Sequence, residues 1–523
     1  MIILYVLAVA VSFLIFKRVT YNMRSRELAK KWNCEEPHNL NEFPFNLPLF
    51  FLVINASRKH ELLDTLLGLF RTFAPTKTVK QVLLGTFTVI PTNDPENIKA
   101  VLATQFKDFC LGQRHGQLAP VLGDGIFTLD GQGWQHSRAM LRPQFARDQV
   151  SDVEMIERHV QHMLLRIPNN KKFDIQELFF NLTLDTATEF LFGQTVGSQT
   201  VEMADEDKSI VSDMPKDMRK SFQEDFNTAQ HHGGIRTRFQ MFYWLWRPSE
   251  LFSSSKRVHA FVDHYVEKAL ATADEEKTDD KYIFLRELAR EVKDPRVLRD
   301  QSLNILLAGR DTTAGILSWI VYELARHPEV WKKLRAEIHQ DFGDGTDLSQ
   351  ITFEGLKRCE YLRFVINETL RLYPSVPLNV RYASRDTTLP RGGGPDESKP
   401  ILVRKGDTIV YNVFSMHRTE EFWGKDCDEF RPERWAEKGS RGWEYLPFNG
   451  GPRICLGQQY ALTETSYVIA RICQLFTKIE NADTAAEPPQ KLHALTMCHL
   501  NGVFVKMTRD EAVFAENEKL INA

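Results

Sequence analysis

The chain has no Cys-x-x-Cys pair and no cysteine–histidine cluster at zinc spacing. Its seven cysteines (34, 110, 359, 427, 455, 473 and 498) are scattered and odd in number. Neither a disulfide framework nor a zinc module therefore organises the fold, and free thiols in a reducing compartment fit the pattern. No Gly-x-Gly-x-x-Gly stands between a strand and a helix, and no Gly-Lys-Ser/Thr loop occurs. Leu122-Gly-Asp-Gly-Ile-Phe127 has two glycines but lacks either context, so it is not a phosphate cradle. Charge of one sign is missing too. The 66 Lys and Arg against 69 Asp and Glu leave a net charge of −3, which excludes the basic footprint of a nucleic-acid binder. Internal repeats and long low-complexity tracts are absent.

Long apolar runs are scarce; the exception is Met1 to Phe16, whose only polar groups are Tyr5 and Ser12. Sixteen helical residues span about 24 Å, short of the roughly 30 Å hydrocarbon core, and snorkelling Lys17 and Arg18 can close the gap. A cleaved leader carries its basic residues before the apolar run; here they follow it. The stretch reads as a retained single-pass anchor over residues 1–21, with everything after it on the cytosolic side. Cys34-Glu-Glu-Pro37 and the prolines through Pro48 read as a hinge, 22–48, leaving 49–523 as one catalytic domain.

What is present concentrates in Phe448-Asn-Gly-Gly-Pro-Arg-Ile-Cys-Leu-Gly457. Two glycines permit a tight turn that delivers Cys455 to the start of an amphipathic helix, where unpaired N–H groups favour a thiolate. Such a thiolate is what a haem iron needs to cleave an O–O bond. A second anomaly lies in an apolar helix expected over Gln301–Arg326: Ala308-Gly-Arg-Asp-Thr-Thr313 places a glycine, a charged pair and two threonines where each is costly. Violations of this kind mark functional sites. Thr312 can bond back to the i−4 carbonyl and, with Gly309, open a groove, while Asp311 beside it can relay protons. Trp134 and Arg138, at i and i+4, share a helix face and can address one partner. Glu368-Thr-Leu-Arg371 lies on a helix expected over Glu360–Leu372, ended by Pro374. Residues 78–102 alternate like strands and then form a short helix from Pro95 to Thr104, and 150–290 read as successive amphipathic helices. Within that stretch, Phe239 to Trp246 is dense in aromatics and reads either as core or as an apolar lid.

Phe448, Gly451, Arg453, Cys455 and Gly457 match the haem signature of the cytochrome P-450 superfamily, and the chain resembles that superfamily along nearly its whole length after about residue 40. The resemblance implies a mainly α fold with small β-sheets (α+β) and haem b as cofactor. Cys455 would be the axial iron ligand, and Arg453, Trp134, Arg138 and Arg381 would hold the propionates. Ala308 would face the haem, and Asp311 with Thr312 would be the catalytic proton-delivery pair. Glu368 and Arg371, with Arg434 of Phe430-Arg-Pro-Glu-Arg-Trp435, would form a buried structural brace for the haem loop; Trp435 stands where the family usually has Phe. The resemblance further implies a monooxygenase in the endoplasmic reticulum membrane, facing the cytosol. Its electrons would come from NADPH through a separate NADPH–cytochrome P-450 reductase, with cytochrome b5 as a further candidate donor. Arg310 in the oxygen-helix motif, Gln458-Gln459 after the cysteine and Leu495-Thr-Met497 lean toward the fungal n-alkane and fatty-acid ω-hydroxylase group. Other apolar substrates (sterols, secondary metabolites, xenobiotics), or a haem-thiolate isomerase or dehydratase, are the alternatives.

Overall fold

Asp-Pro pairs start helices twice in this chain. In a computed structural model of the protein, Asp94 accepts from Glu96 N and Asn97 N at 2.9 and 3.0 Å, and Asp294 accepts from Arg296 N at 2.9 Å. In both, proline at the first helical position loses an N–H that would have had no partner. The structure describes all residues except 1–15, 17–18, 41–46, 84–86, 146–151, 201–211, 274–282, 438–440, 485–486 and 523.

The chain divides into two compact units. The first comprises Met1–Cys110, Leu378–Thr419 and Gly442–Ile454. Its six-stranded mixed sheet runs in the order His38–Asn39, Val79–Leu83, Phe87–Thr92, Thr408–Asn412, Leu378–Ala383, Phe109–Cys110. Val89 pairs with Thr408 in parallel and Arg381 with Ile409 antiparallel. A two-stranded ribbon, Thr387–Gly393 with Lys399–Val403, belongs to the same unit. The helix expected after the early strands is present as Pro95–Lys99, continued by a π-helical turn over Ala100–Thr104.

The stretch read as a hinge is largely ordered into this unit. Residues 19–31 are helical. Arg404 Nη1 donates to Tyr21 O at 3.2 Å and Ser25 Oγ at 2.5 Å, with its guanidinium 4.4 Å from the Tyr21 ring centre. Glu35 N bonds Pro400 O, and His38–Asn39 adds a strand to the sheet. The apolar run assigned as an anchor lies, but for Phe16, outside the described residues. Among those described, no helix is long and apolar enough to cross a membrane.

The second unit comprises Leu111–Pro377, Glu420–Arg441 and Cys455–Ala523 and is mainly helical. The 150–290 stretch forms Val153–Arg166, Ile175–Phe192, Lys216–Arg238, Ser249–Thr272 and Phe284–Glu291. Two helices are buried almost all round, Ile175–Phe192 and Pro295–Leu324, as expected of core helices without a polar face. The Gly-rich loop at 122–127 packs on the second of these. A Cβ on Gly123 would lie 2.1 Å from Asp300, and one on Gly125 2.2 Å from Asn304. Small sheets complete the unit: Lys172–Asp174, Phe504–Arg509 and Phe476–Asn481, and the hairpin Lys491–His493 with Met497–His499.

Candidate functional site

From Asp300 to Ala325 the central helix is buried except at Ile305, Ala308, Gly309 and Thr312. Their spacing of three and four residues puts all four on one face, so the core helix carries a single accessible stripe, apolar but for one hydroxyl. Thr312 Oγ1 donates to Ala308 O at 2.6 Å, the expected back-bond, yet the helix continues unbroken from Pro295 to Leu324. The groove comes from small side chains rather than from a break. A Cβ on Gly309 would meet nothing nearer than Ala187 Cβ at 3.8 Å.

Asp311 is turned away from that stripe and buried. Burial pushes its carboxyl pKa up, opposed by the Arg310 guanidinium and the neighbouring Gln230 amide. Arg310 Nη1 lies 3.4 Å from Asp311 Oδ1 and donates to Asn227 Oδ1 at 2.6 Å, with its cation over Phe180 and Phe226. Cys498 sits close enough that the Asp311 charge adds to burial in pushing its thiol up to about 12. Arg310 is thus tied to the Lys216–Arg238 helix. Sequence reasoning missed Asn227 and Gln230, which carry no local signal, because they become neighbours only through packing.

Of the seven cysteines, Cys455 is the exposed one. Its sulfur opens into a recess of about 470 Å³ lined by Arg142, Pro143, Phe145 and Leu456 rather than onto bulk water. Desolvation therefore pushes the thiol up, and the Gly457 N–H and the Arg138 guanidinium pull it down. Burial outweighs the helix-terminus effect expected from the sequence. Gly457 is the N-cap of Gln458–Leu475, and a Cβ there would meet Phe145 only at an ordinary 3.7 Å. Trp134 is buried on Gly131–Leu141, with the half-buried Arg138 guanidinium 6.0 Å from its ring centre. His136 lies exposed on the same helix. An accessible sulfur that accepts a backbone N–H, beside an arginine, together with a helix stripe of small residues, is a donor set that fits a thiolate-ligated haem. Cys359, by contrast, is buried beside Glu337 and Asp341, has no glycine loop, and has its thiol pushed up by burial and by the Glu337 charge.

The Glu368 network is complete within the second unit. Its Oε1 accepts from Arg371 Nη2 at 2.9 Å, Arg434 Nε at 2.7 Å and Arg431 N at 2.9 Å. Its Oε2 accepts from Arg371 Nε at 2.9 Å and from Trp435 Nε1 at 3.1 Å. The two arginines spend their other donors on the carbonyls of Trp423, Asp426, Cys427 and Glu429. What the network clamps is the Trp423–Trp435 segment, held to the Glu360–Leu372 helix. The unusual Trp435 adds an indole donor that phenylalanine lacks.

Four site residues belong to the first unit. Arg381 is buried on Leu378–Ala383, with Nη1 on Asn379 Oδ1 at 3.0 Å and Val380 O at 2.8 Å. Phe448 and Arg453 are half-buried. Arg453 ends the 3-10 turn Gly451–Arg453, and its carbonyl accepts from Asn449 Nδ2 at 3.2 Å. Gly451, at φ +65°, has no room for a side chain, since a Cβ would fall 1.9 Å from Leu102 O.

The family model for cytochrome P-450 matches residues 42–505. The chain belongs to the cytochrome P-450 family. It is 53% identical over 475 residues to cytochrome P-450 52A13 of Debaryomyces hansenii, covering 89% of this chain and 90% of that protein. It is 51% identical over 493 residues to cytochrome P-450 52A3-B of Candida maltosa, covering 92% and 93%. To cytochrome P-450 52A6 of Candida tropicalis it is 54% identical over 442 residues, covering 83% and 84%. This cytochrome P-450 is accordingly a monooxygenase with haem b held by a cysteine thiolate, and it works with an electron-donating partner on an apolar substrate.

Proposed function

We propose that this monooxygenase hydroxylates long-chain alkanes or fatty acids at or near the chain terminus. The observation that carries the reading is the accessible stripe Ile305, Ala308, Gly309 and Thr312. A straight apolar chain can lie along small side chains with one hydroxyl beside its reacting end. The motif around the stripe resembles that of the fungal alkane and fatty-acid group, and the 52A relatives are consistent with it.

Cys455 would hold the haem iron. Trp134, Arg138, Arg381 and Arg453 are the residues the family likeness assigns to the propionates. Ala308 at the family's covalent-attachment position offers no carboxylate, so haem is held without a bond to the helix. A thiolate-ligated haem supplies oxygen activation and insertion of one oxygen atom into a C–H bond. The protein's own residues manage the protons. Thr312 Oγ1, its own proton on Ala308 O, turns its lone pairs to the accessible face and can accept a proton there; Asp311, turned away from the stripe, is held toward its protonated form by burial and is the reserve the family likeness assigns to the relay. The paired Thr and Asp argue against an isomerase or dehydratase, which needs no proton delivery to bound oxygen.

The chain carries no nucleotide motif, so NADPH–cytochrome P-450 reductase is the proposed electron source, with cytochrome b5 as a second donor, at the endoplasmic reticulum membrane. Exposed apolar surface supports a bilayer. In the second unit the turn Gln240–Leu245 presents Met241, Phe242, Trp244 and Leu245, the last two 56% and 59% exposed. In the first, the Leu47–Arg58 helix exposes Phe51, Leu52 and Ile54. Incubating the purified enzyme with the reductase, NADPH and dodecane or laurate tests the proposal. Terminal or near-terminal alcohols are expected; no turnover with any chain length, alongside an intact carbon monoxide difference band, overturns the substrate class.

A further inference from the structure

Trp319 is a fully buried indole whose Nε1 has no hydrogen-bond partner among the described residues, an expensive arrangement for which packing alone gives no reason. It lies seven residues beyond Thr312 on an unbroken helix, two turns or about 10 Å along the axis and on nearly the same face. Its ring stacks on Tyr373, centroids 4.0 Å apart and planes 2° from parallel. Tyr322 stands 5.4 Å from Trp319 and 6.4 Å from Tyr373. Both phenols donate to carboxylates: Tyr373 to Glu323 Oε1 at 2.6 Å, and Tyr322 to Glu487 Oε2 at 2.7 Å. The Glu487 side chain is 60% exposed, so the series ends at solvent.

We infer that Trp319, Tyr373 and Tyr322 form a path that drains oxidising equivalents from the haem site to the surface when no substrate C–H bond is there to consume them. A phenol is oxidised readily only if a base takes its proton, and each of these phenols has one in place. An indole without an acceptor keeps its N–H proton when it loses an electron, so it passes the charge on rather than trapping it.

The steps balance. One electron leaves Trp319 for the activated oxygen that the monooxygenase reaction generates, and Tyr373 refills Trp319 as its phenol proton moves to Glu323. Tyr322 then refills Tyr373, the Glu323 proton returns, and the Tyr322 proton moves to Glu487. A small thiol at the surface returns one electron to Tyr322, which takes back the Glu487 proton, and the thiol proton goes to solvent. Two passes deliver two electrons along the series; the two thiol protons released to solvent are matched by two protons taken up from solvent at the oxygen atom, giving water and one disulfide from two thiols.

The test needs neither substrate nor reductase, so its failure is separable from failure of the substrate assignment. Ferric holoenzyme mixed with a peracid and freeze-quenched should give a tyrosyl signal by electron paramagnetic resonance. Trp319→Phe, which keeps a ring in the core, should lose most of that signal and bleach its Soret band faster under peracid. Tyr322→Phe, beside the surface, should move the radical to Tyr373, and added thiol should slow bleaching in the wild type but not in Trp319→Phe. No radical in the wild type, or equal radical yield and bleaching in Trp319→Phe with an intact carbon monoxide band, overturns the inference.

Discussion

At the scale of the residue, Thr312 and Trp435 show how one atom sets a role. Thr312 keeps its hydroxyl at the accessible stripe by bonding Ala308 O, so Thr312→Ala removes the proton carrier without touching the core. Product per NADPH should fall by roughly an order of magnitude while NADPH oxidation and peroxide release continue. Unchanged coupling would remove Thr312 from the proton route. Trp435 donates one of the five hydrogen bonds that Glu368 accepts. Trp435→Phe leaves a buried carboxylate one donor short and should cost about 1–2 kcal/mol. Arg434→Ala strips a buried charge partner and should cost about 3–5 kcal/mol. Urea unfolding of the haem-loaded proteins ranks the two; equal losses would mean that the indole bond matters as much as the ion pair.

At the scale of the element, the central helix holds two glycines with opposite reasons for being there. A Cβ on Gly309 would meet only Ala187 Cβ, at an ordinary 3.8 Å, whereas Gly315 is pressed against the hairpin, where a Cβ would lie 2.8 Å from Met497 O. Gly309→Ala should therefore raise stability by up to about 1 kcal/mol through helix propensity, while the added methyl narrows the stripe and weakens substrate-induced spectral shifts. Gly315→Ala should destabilise, because the hairpin backbone must move. Thermal unfolding with substrate titration separates the two, and the same sign of stability change for both would refute the distinction. The helix Glu360–Leu372 was legible from its flanking Pro374, the helix after Cys455 from its amphipathic run, and the signature loop and the Asp311–Thr312 motif from local spacing. What the side chains touch was not. Asp311 turns toward Gln230 and Arg310, Trp435 reaches Glu368, and the stretch after the apolar run folds against Arg404. Each is a pairing between segments far apart in sequence, where composition and period carry no information.

At the scale of the whole molecule, one buried acid ties global stability to pH. Glu464 lies between three core helices, accepts from Thr186 Oγ1 at 2.5 Å, faces Thr313, and has no cation beside it among the described residues. Burial raises its carboxyl from 4.5 to about 7. Below pH 4.5 folded and unfolded chains both hold this proton, and its contribution is fully present. Between pH 4.5 and 7 the unfolded chain has released the proton and the folded one keeps it, so stability falls by about 1.4 kcal/mol per pH unit. Across that window the loss totals roughly 3 kcal/mol, and it levels off once the folded carboxyl ionises. Glu464→Gln keeps a neutral acceptor for Thr186 and cannot ionise. All other groups titrate alike in the two proteins, so the difference between their unfolding free energies isolates this one. The variant should gain on the wild type steadily from pH 5 to 7 and hold the gain above it, because the wild type must either bury an unpaired anion or forgo its proton in a site that offers no counter-charge. Two parallel curves over that range would show that Glu464 is ionised, and compensated, in the native fold.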